Sequence, residues 1–249
     1  MIEAASNWCI VETGYLSRAP APGIPYPKEL IFRMNTSLRD VRSSGWTTTA
    51  ATDAVALFLH GFGSNEHDLS SLAPAIGLNL PWASLRAPIE LGNGGAAWFS
   101  IITPGDPEAG PVEAATDAIW AWVEANVDPG ARIVPIGFSQ GGLMASQLLR
   151  TRPERVVAPV VLGGFVLGTP QPGDETLRGS RPTLFWGRGS EDRVIAPVAI
   201  TRSSEYLPQH TSLIERVYPG LAHGINAAEL DNVRDFLAAE VGAQAVARA

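Results

Sequence analysis

The chain has 249 residues, of which 18 are Lys or Arg and 25 are Asp or Glu, so its formal net charge is −7. Apolar residues make up 45% and charged residues 17%, which is typical of a globular rather than a disordered chain. An acidic chain without a basic run is not expected to bind nucleic acid, because neutralising phosphates requires clustered Lys and Arg. The single cysteine, Cys9, allows no internal disulfide and no cysteine metal site.

The amino-terminal residues and the longest apolar run indicate where in the cell the protein is expected. The run 156–168 contains Pro159 and is too short to cross a bilayer. The first residues, MIEAASNW, carry an acid where a signal peptide would carry bases. We therefore expect a cytoplasmic protein without stable membrane insertion. A chain of this length is expected to form one α/β domain over residues 1–249, with amino-terminal strands in residues 1–50.

Short apolar runs alternate with segments of helical periodicity along the chain. Pro135 and Pro159 lie inside two of these runs and count against central positions in a sheet. The predicted strands are Cys9–Leu16, Glu29–Met34, Ala54–His60, Ala83–Arg86, Arg132–Gly137, Val156–Leu162, Thr183–Gly187 and Leu213–Tyr218.

Three helices are predicted between and after these strands. Pro111–Asn126 has an apolar stripe and a proline suited to the first helical position, and Gln140–Thr151 ends before Pro153. The last helix opens with Asn226 and Glu229 at the spacing of a capping box. Alternating strands and helices predict a mostly parallel central sheet with helices on both faces. The glycine-rich stretch 92–95 lacks the dinucleotide-binding spacing and is predicted to be a mobile loop, so no cofactor is expected.

The sharpest local motif is GFSQG at residues 137–141, between a predicted strand and a predicted helix. This context is typical of a nucleophile elbow, in which Ser139 lies on a tight turn and small neighbours avoid collisions. The helix that starts at Gln140 directs its free N–H groups towards the reacting carbonyl. An ordinary glycine-rich turn remains the alternative interpretation of the motif.

A serine hydroxyl needs a base to take its proton. Of the four histidines, His223 lies in a loop between the last strand and the last helix, where parallel sheets present their reactive groups. His60 ends a strand, His67 lies at an acidic helix start, and His210 in a polar turn is interpreted as a solvated surface residue. His223 is therefore the predicted base.

The base requires an orienting carboxylate, and the transition state requires two N–H donors. The order Ser, Asp, His places the carboxylate between residues 139 and 223, where Asp192 is preferred, Glu191 is the alternative, and Asp174 and Glu175 lie in a loop further from any strand end. The donors are predicted to be the backbone N–H groups of Gln140 and of Phe62, which follows the glycine-rich end of a strand.

With these residues identified, the sequence resembles the phospholipase/carboxylesterase family of serine hydrolases, which includes the acyl-protein thioesterases. The resemblance implies an α/β-hydrolase fold, with Ser139, Asp192 and His223 as the triad and Phe62 and Gln140 as oxyanion donors. The family often has an acid at the position of Ser100, so the hydrogen bonds of that acid are not expected here. The matching segments are LHGFGSNEHDL (59–69), RAP (86–88), AWFS (97–100), GFSQGG (137–142), GRGSEDRVI (187–195) and YPGLAHGI (218–225).

The sequence favours a carboxylesterase that acts on small-molecule esters with small to medium acyl chains. About 20 residues separate two predicted strands at 162 and 183, which is too short for a large lid domain. A thioesterase, a cofactor-free perhydrolase and a non-catalytic binding protein of the same fold are the alternatives. The sequence leaves open whether the chain forms a homodimer. The residues expected to line an open substrate site are Phe62, Trp98, Phe165, Leu167, Ile195 and Leu221.

Overall fold

The computed structural model describes residues 37–46, 53–92 and 94–242. The strands in these ranges are β1 (Asp40–Arg42), β2 (Ala54–Leu59), β3 (Trp82–Leu85), β4 (Ile89–Glu90), β5 (Ala96–Ala97), β6 (Arg132–Phe138), β7 (Val160–Leu162), β8 (Thr183–Gly189) and β9 (Ser212–Tyr218). The helices are α1 (Leu72–Ala75), α2 (Ala109–Asn126), α3 (Gln140–Thr151), α4 (Asp174–Ser180), α5 (Pro197–His210) and α6 (Ala227–Glu240).

Seven of these strands form one sheet in the order β1-β3-β2-β6-β7-β8-β9. Only β1 runs antiparallel to its neighbour, and all other pairings in this sheet are parallel. Strands β4 and β5 form a separate hairpin. The parallel strands end at one edge of the sheet, which brings the loops that follow them together.

The sheet is covered on both faces because alternate residues of each strand point in opposite directions. Val55, Leu57 and Leu59 of β2 belong to one apolar cluster with residues of α2, α3, α4 and α5. The alternate residues of β2, Ala54, Ala56 and Phe58, belong to a second cluster with residues of α1 and α6. The predicted fold class, a mostly parallel sheet with helices on both faces and no large lid, is confirmed for the described residues.

The six strands predicted between residues 54 and 218 are all present, with one marked change in length. Strand β7 begins only at Val160, because Ala158 has a φ of 48° and Pro159 follows it. Pro135, by contrast, lies inside β6 opposite Leu57. Because backbone groups alternate in direction along β6, the Pro135 nitrogen points towards β7, at a position before β7 begins to pair with β6. The hydrogen bonds between β6 and β2 are therefore kept. The predicted strands at 9–16 and 29–34 lie outside the described residues.

The predicted helices differ more from the structure than the predicted strands do. Helix α3 has the predicted bounds, but α2 begins two residues before Pro111. Asn226 caps α6 by accepting a hydrogen bond from the backbone N–H of Glu229 at 2.8 Å. Helix α4, which starts at Asp174, was expected to be a loop. Gly92, Gly94 and Gly95, from the stretch predicted to be a mobile loop, lie between the two strands of the β4–β5 hairpin.

Helix α5 is not among the predicted helices, and the prediction that His210 lies in a polar turn is wrong. This histidine is the last residue of α5 and is 3% exposed, so it is not a solvated surface residue. Its ring stacks on Tyr206 with 3.8 Å between ring centroids, and Nε2 accepts a hydrogen bond from Arg178 at 3.1 Å. The segment Pro208-Gln209-His210 resembled a turn because a proline lies inside the helix.

Candidate active site

Ser139 lies on a strained turn between β6 and α3. Its φ of 56° and ψ of −116° fall outside the regions that non-glycine residues ordinarily adopt. Its backbone N–H donates to the carbonyl of Leu162 at 2.8 Å. A Cβ at Gly137 would lie 2.0 Å from the carbonyl oxygen of Gly141, and a Cβ at Gly141 would lie 1.8 Å from that of Leu59. The turn therefore requires glycine on both sides of the serine.

Three side chains from three loops meet above the carboxyl ends of the parallel strands. His223 Nε2 lies 2.9 Å from the Ser139 Oγ, and His223 Nδ1 lies 2.7 Å from Asp192 Oδ2. Ser139 follows β6, Asp192 follows β8, and His223 follows β9. The side chains of His223 and Asp192 are only 4% and 6% exposed, so little water competes for these hydrogen bonds. The structure thus brings together the three residues that were predicted to form a triad.

Asp192 is oriented by the loop that carries it. Its Oδ1 accepts the backbone N–H groups of Val194 at 2.9 Å and Ile195 at 3.1 Å. Burial alone raises the pKa of this carboxyl, but the hydrogen bond and charge of His223 and the two backbone N–H groups outweigh burial, so the pKa lies below its ordinary value. Asp192 is therefore ionised at neutral pH. The neighbouring Glu191 is exposed and faces Arg193 at 3.8 Å, away from the histidine.

The imidazole of His223 is also held by packing. Its ring centroid lies 4.8 Å from that of Phe138, the residue before Ser139. A Cβ at Gly163 would lie 3.5 Å from two atoms of the imidazole and 3.1 Å from the Phe138 ring. Gly163 has a φ of 51°, a conformation that disfavours a side chain. These contacts restrict the ring to the orientation that faces both Ser139 and Asp192.

The loop after β2 lies beside Ser139 and is fixed by His60. A Cβ at Gly61 would lie 3.4 Å from the Ser139 Cβ. His60 is fully buried, its Nδ1 lies 2.7 Å from the Gly61 carbonyl, and its Nε2 accepts the backbone N–H of Ala87 at 3.1 Å. Burial lowers the pKa of His60, so the ring is neutral and donates through Nδ1. The bond to Gly61 fixes the peptide unit that carries the Phe62 N–H.

Two backbone donors flank the serine. Within the described part of the chain, neither the N–H of Phe62 nor that of Gln140 donates to another protein group. The Gln140 side chain is used differently, because its Oε1 accepts the N–H of Trp98 at 2.8 Å and its Nε2 donates to the carbonyl of Phe99 at 2.6 Å. Gln140 therefore connects the start of α3 to the segment that follows β5.

An apolar cleft of about 80 Å³ extends from Ser139. One side is formed by residues 101–107, which we term the wall segment, and the other by Phe165 and the residues after Asp192. Its surface is mainly hydrophobic, as expected of a site for an apolar ligand. The lining residues are Phe62, Phe99, Ile101, Thr103, Pro104, Gly105, Pro107, Ser139, Gln140, Phe165, Val194 and Ile195.

The predicted lining residues are only partly correct. Phe62, Phe165 and Ile195 line the cleft, whereas Trp98 and Leu167 are 0% and 2% exposed and belong to the core. The Trp98 indole N–H donates to the His60 carbonyl at 2.9 Å, so the side chain points beneath the site rather than into it. Leu221 is half-buried outside the cleft, and its carbonyl accepts the N–H of Glu191 at 2.9 Å.

The sequence interpretation missed the wall segment, Phe99 and Val194. The available signal was the position of apolar residues in segments without helix or strand periodicity: Ile101 and Ile102 precede two prolines and a glycine, and Val194 follows a charged run. Ser100, at the position where the family often has an acid, is exposed and has no side-chain hydrogen bond within the described residues.

The geometry defines a class. A serine on a strained strand-to-helix turn, followed in the chain by an aspartate and a histidine at the ends of later parallel strands, is the arrangement of the α/β-hydrolases. The described residues contain no group of three His, Cys, Asp or Glu side chains suited to a metal ion. No helix in the same ranges is long and apolar enough to cross a membrane.

Comparison with known proteins specifies the family. The Phospholipase/Carboxylesterase family pattern matches residues 47–241, and the chain belongs to this family of serine hydrolases. It is 26% identical over 237 residues to acyl-protein thioesterase 1 of Cryptococcus neoformans, covering 82% of this chain and 98% of that protein. It is 28% identical over 208 residues to acyl-protein thioesterase 1 of Saccharomyces cerevisiae, covering 73% and 90% of the two chains.

Solved structures share the fold. The Bacillus cereus carboxylesterase superposes with a TM-score of 0.67 at 21% identity and covers 84% of this chain and 98% of its own. The Mesorhizobium loti carboxylesterase gives a TM-score of 0.63 at 22% identity, covering 77% and 91% of the two chains. At these identities the structures establish the α/β-hydrolase fold of the chain.

Proposed function

We propose that this protein is a serine carboxylesterase that hydrolyses small-molecule esters of small to medium acyl chain length through an acyl-enzyme. The observation that carries the proposal is the continuous hydrogen-bonded series from the Ser139 Oγ through His223 to Asp192. Each group has the partner that its role requires, and no cofactor takes part in the steps below.

In the first step, the Ser139 Oγ attacks the ester carbonyl while His223 Nε2 accepts the hydroxyl proton. Asp192 is ionised, holds Nδ1–H and stabilises the imidazolium that forms. His223 then gives the proton to the leaving alcohol, and the acyl group remains on Ser139. Water, deprotonated by the same histidine, attacks the acyl-enzyme, and His223 returns that proton to the Ser139 Oγ as the acid leaves.

The negatively charged oxygen of the tetrahedral intermediate is stabilised by hydrogen bonds from the backbone N–H groups of Phe62 and Gln140. Two features support this assignment: both donors lie next to Ser139 without a protein partner in the described ranges, and Gln140 begins helix α3, whose positive end faces the serine. The His60 bond to Gly61 fixes the Phe62 N–H before substrate arrives. Such preorganised donors avoid reorganisation during the reaction.

The apolar cleft is proposed to receive the acyl chain. It opens beside Ser139 and is lined mainly by apolar groups. A cleft of about 80 Å³ has room for several water-sized groups in a row, since one water molecule needs about 10–15 Å³ of such space. This size supports short and medium acyl chains over long ones.

A second candidate is an acyl thioesterase, because the two fungal relatives named above are acyl-protein thioesterases. The same groups would act on a thioester, with a thiol as leaving group instead of an alcohol. The two candidates differ in substrate rather than in the roles of Ser139, Asp192 and His223.

The test compares p-nitrophenyl butyrate with butyryl thiocholine as ester and thioester of one acyl chain. We expect the wild type to hydrolyse the ester with the higher kcat/KM, and Ser139→Ala to reduce both activities to background. Ser100→Ala, an exposed serine near the site, is the matched control and should retain both. A higher kcat/KM for the thioester would favour the second candidate, and full activity of a folded Ser139→Ala protein would refute both.

A further inference from the structure

Arg202 of α5 contacts both sides of the apolar cleft. Its Nη2 donates to the carbonyl of Gly105 in the wall segment at 2.6 Å, and its Nε donates to the carbonyl of Val166 at 2.9 Å. Its Nη1 lies 3.5 Å from the carboxylate of Asp106. Arg202 lies 97 positions from Gly105 in the sequence and has no role in the proposed reaction.

The contacts of Arg202 connect backbone on opposite sides of the cleft. Gly105 is a lining residue, and Val166 follows the lining residue Phe165. The guanidinium carbon also lies 5.9 Å from the Phe165 ring centroid. One planar group therefore fixes two backbone carbonyls whose separation sets the width of the cleft, and the fork geometry of arginine suits such a bridge.

The surroundings of Arg202 make the bridge rigid. On one side, Ser203 accepts the N–H of Val166 at 3.0 Å and donates to Ala199 at 2.7 Å, so α5 holds both polar groups of the Val166 residue. On the other, a Cβ at Gly105 would lie 2.6 Å from the Ala196 Cβ, which shows how closely the wall segment packs on the start of α5.

The wall segment has few alternative supports. It lies between β5 and α2 and pairs with no strand of the main sheet. The side-chain hydrogen bond that reaches its backbone from outside, within the described residues, comes from Arg202. Loss of the guanidinium would therefore release the wall segment while the strands that carry Ser139, Asp192 and His223 stay in place.

We propose that Arg202 is a positioning residue that limits acyl chain length by fixing the wall segment at its distance from Phe165. This inference rests on the proposed use of the cleft as the acyl site. Arg202 touches neither Ser139 nor His223, so its removal should alter which acyl chains fit rather than the reactivity of the serine.

The test is the ratio of kcat/KM for p-nitrophenyl octanoate to that for p-nitrophenyl acetate. In Arg202→Met, which keeps the aliphatic stem, this ratio should rise by about fourfold for each further methylene group that the loosened cleft accepts. Arg202→Lys keeps the charge but lacks the fork, so its ratio should lie between those of wild type and Arg202→Met. Labelling of Ser139 by a small fluorophosphonate should proceed at the wild-type rate in both.

Arg234→Met is the matched control. Arg234 is 23% exposed against 20% for Arg202, and it also bonds a carboxylate, that of Asp231, and backbone, at the Ala75 carbonyl, but away from the cleft. We expect its ratio to equal that of the wild type. An unchanged or lower ratio in both Arg202 variants, or an equal rise in Arg234→Met, would overturn the proposal.

A binding readout separates this inference from the proposed function. Calorimetric titration of octanoate and butyrate into the Ser139→Ala protein, with and without Arg202→Met, measures the affinity of the cleft for each acid without any turnover. The relative affinity for octanoate should rise in the double variant even if the wild type hydrolyses no ester. Equal relative affinities would refute the role of Arg202, whereas the absence of ester hydrolysis would refute only the proposed function.

Discussion

The two sides of the cleft are held in place by different means. Ser139, Asp192 and His223 follow β6, β8 and β9 within five residues of each strand's end, so the pairing of the sheet sets their separation. The wall segment has no such support and is held by the packing of Gly105 on α5 and by the hydrogen bond of Arg202. If the proposed function is correct, reactivity depends on a framework with many contacts, and acyl selectivity depends on a few contacts between the wall segment and helix α5.

The largest expected effect is on the reactive side. His223→Ala removes the base and should lower kcat for p-nitrophenyl butyrate by about 10³-fold or more, while Asp192→Asn should lower kcat less, because the imidazole remains. Steady-state kinetics with matched circular dichroism spectra would measure both. A His223→Ala protein within tenfold of wild type would show that another group accepts the proton.

The framework itself can be broken at Gly141. A Cβ there would lie 1.8 Å from the Leu59 carbonyl oxygen, so Gly141→Ala should destabilise the fold by about 3 kcal/mol or more or prevent folding. Gly110→Ala in α2 is the control, since no atom lies within 4 Å of its added Cβ and alanine favours helices. Urea denaturation would compare the two, and equal stabilities would contradict the close approach of α3 to β2.

Glu229 lies under the reactive side, in the first turn of the helix that follows the His223 loop. It is 0% exposed, and neither carboxyl oxygen has a hydrogen-bond partner within the described residues. Burial, opposed by the Asn226 contact, raises its pKa to about 8. The titratable group on β9 that interacts with Glu229 is the Tyr218 phenol, which is uncharged in this range because burial and the charge of Glu229 raise its own pKa.

Because the folded state holds this proton more tightly than the unfolded state, stability should fall as pH rises from 4.5 to about 8. Glu229→Gln removes the titration, so its stability relative to the wild type should increase between pH 5 and pH 8 by roughly 3–4 kcal/mol. Chemical denaturation at several pH values measures this difference. Glu240→Gln, a change at an exposed position of the same helix, should show no such trend. A difference in the free energy of unfolding between Glu229→Gln and the wild type that stays constant with pH would refute the prediction.

The smallest effect concerns two adjacent isoleucines of the wall segment. Ile101 lines the cleft and Ile102 does not, although both are exposed, at 52% and 69%. Ile101→Ser should lower kcat/KM for p-nitrophenyl octanoate by about fourfold and change the acetate ester little, since each buried methylene contributes about 0.8 kcal/mol. Ile102→Ser should leave both values unchanged. Equal effects of the two changes would mean that the acyl chain lies elsewhere.

The contrast between residues at strand ends and residues of the wall segment also explains which parts of the site could be predicted from the sequence. Short motifs after predicted strands were sufficient to identify Ser139, Asp192 and His223, because strand ends converge at one edge of a parallel sheet. The glycines around Ser139 were informative for a local reason, since any side chain would collide with adjacent backbone.

The lining of the cleft could not be obtained in the same way. Trp98 and Phe99 are neighbours in one motif and both are buried, yet only Phe99 lines the cleft. The Gln140 hydrogen bonds to their backbone and the bond of the Trp98 indole to the His60 carbonyl set this orientation, and neither is visible in the sequence. Arg202 is distant in sequence from the residues it holds. Helix α5 was itself missed, because Pro208 and the polar residues near its end resemble a turn.

The central claim is that the Ser139 oxygen becomes acylated. Rapid quenching of the wild type with p-nitrophenyl acetate, followed by proteolysis and mass spectrometry, would locate the acetyl group. We expect it on the peptide that contains Ser139, and on none when His223 is replaced by Ala. An acetyl group on another residue, or turnover of the ester without any covalent adduct, would contradict this account.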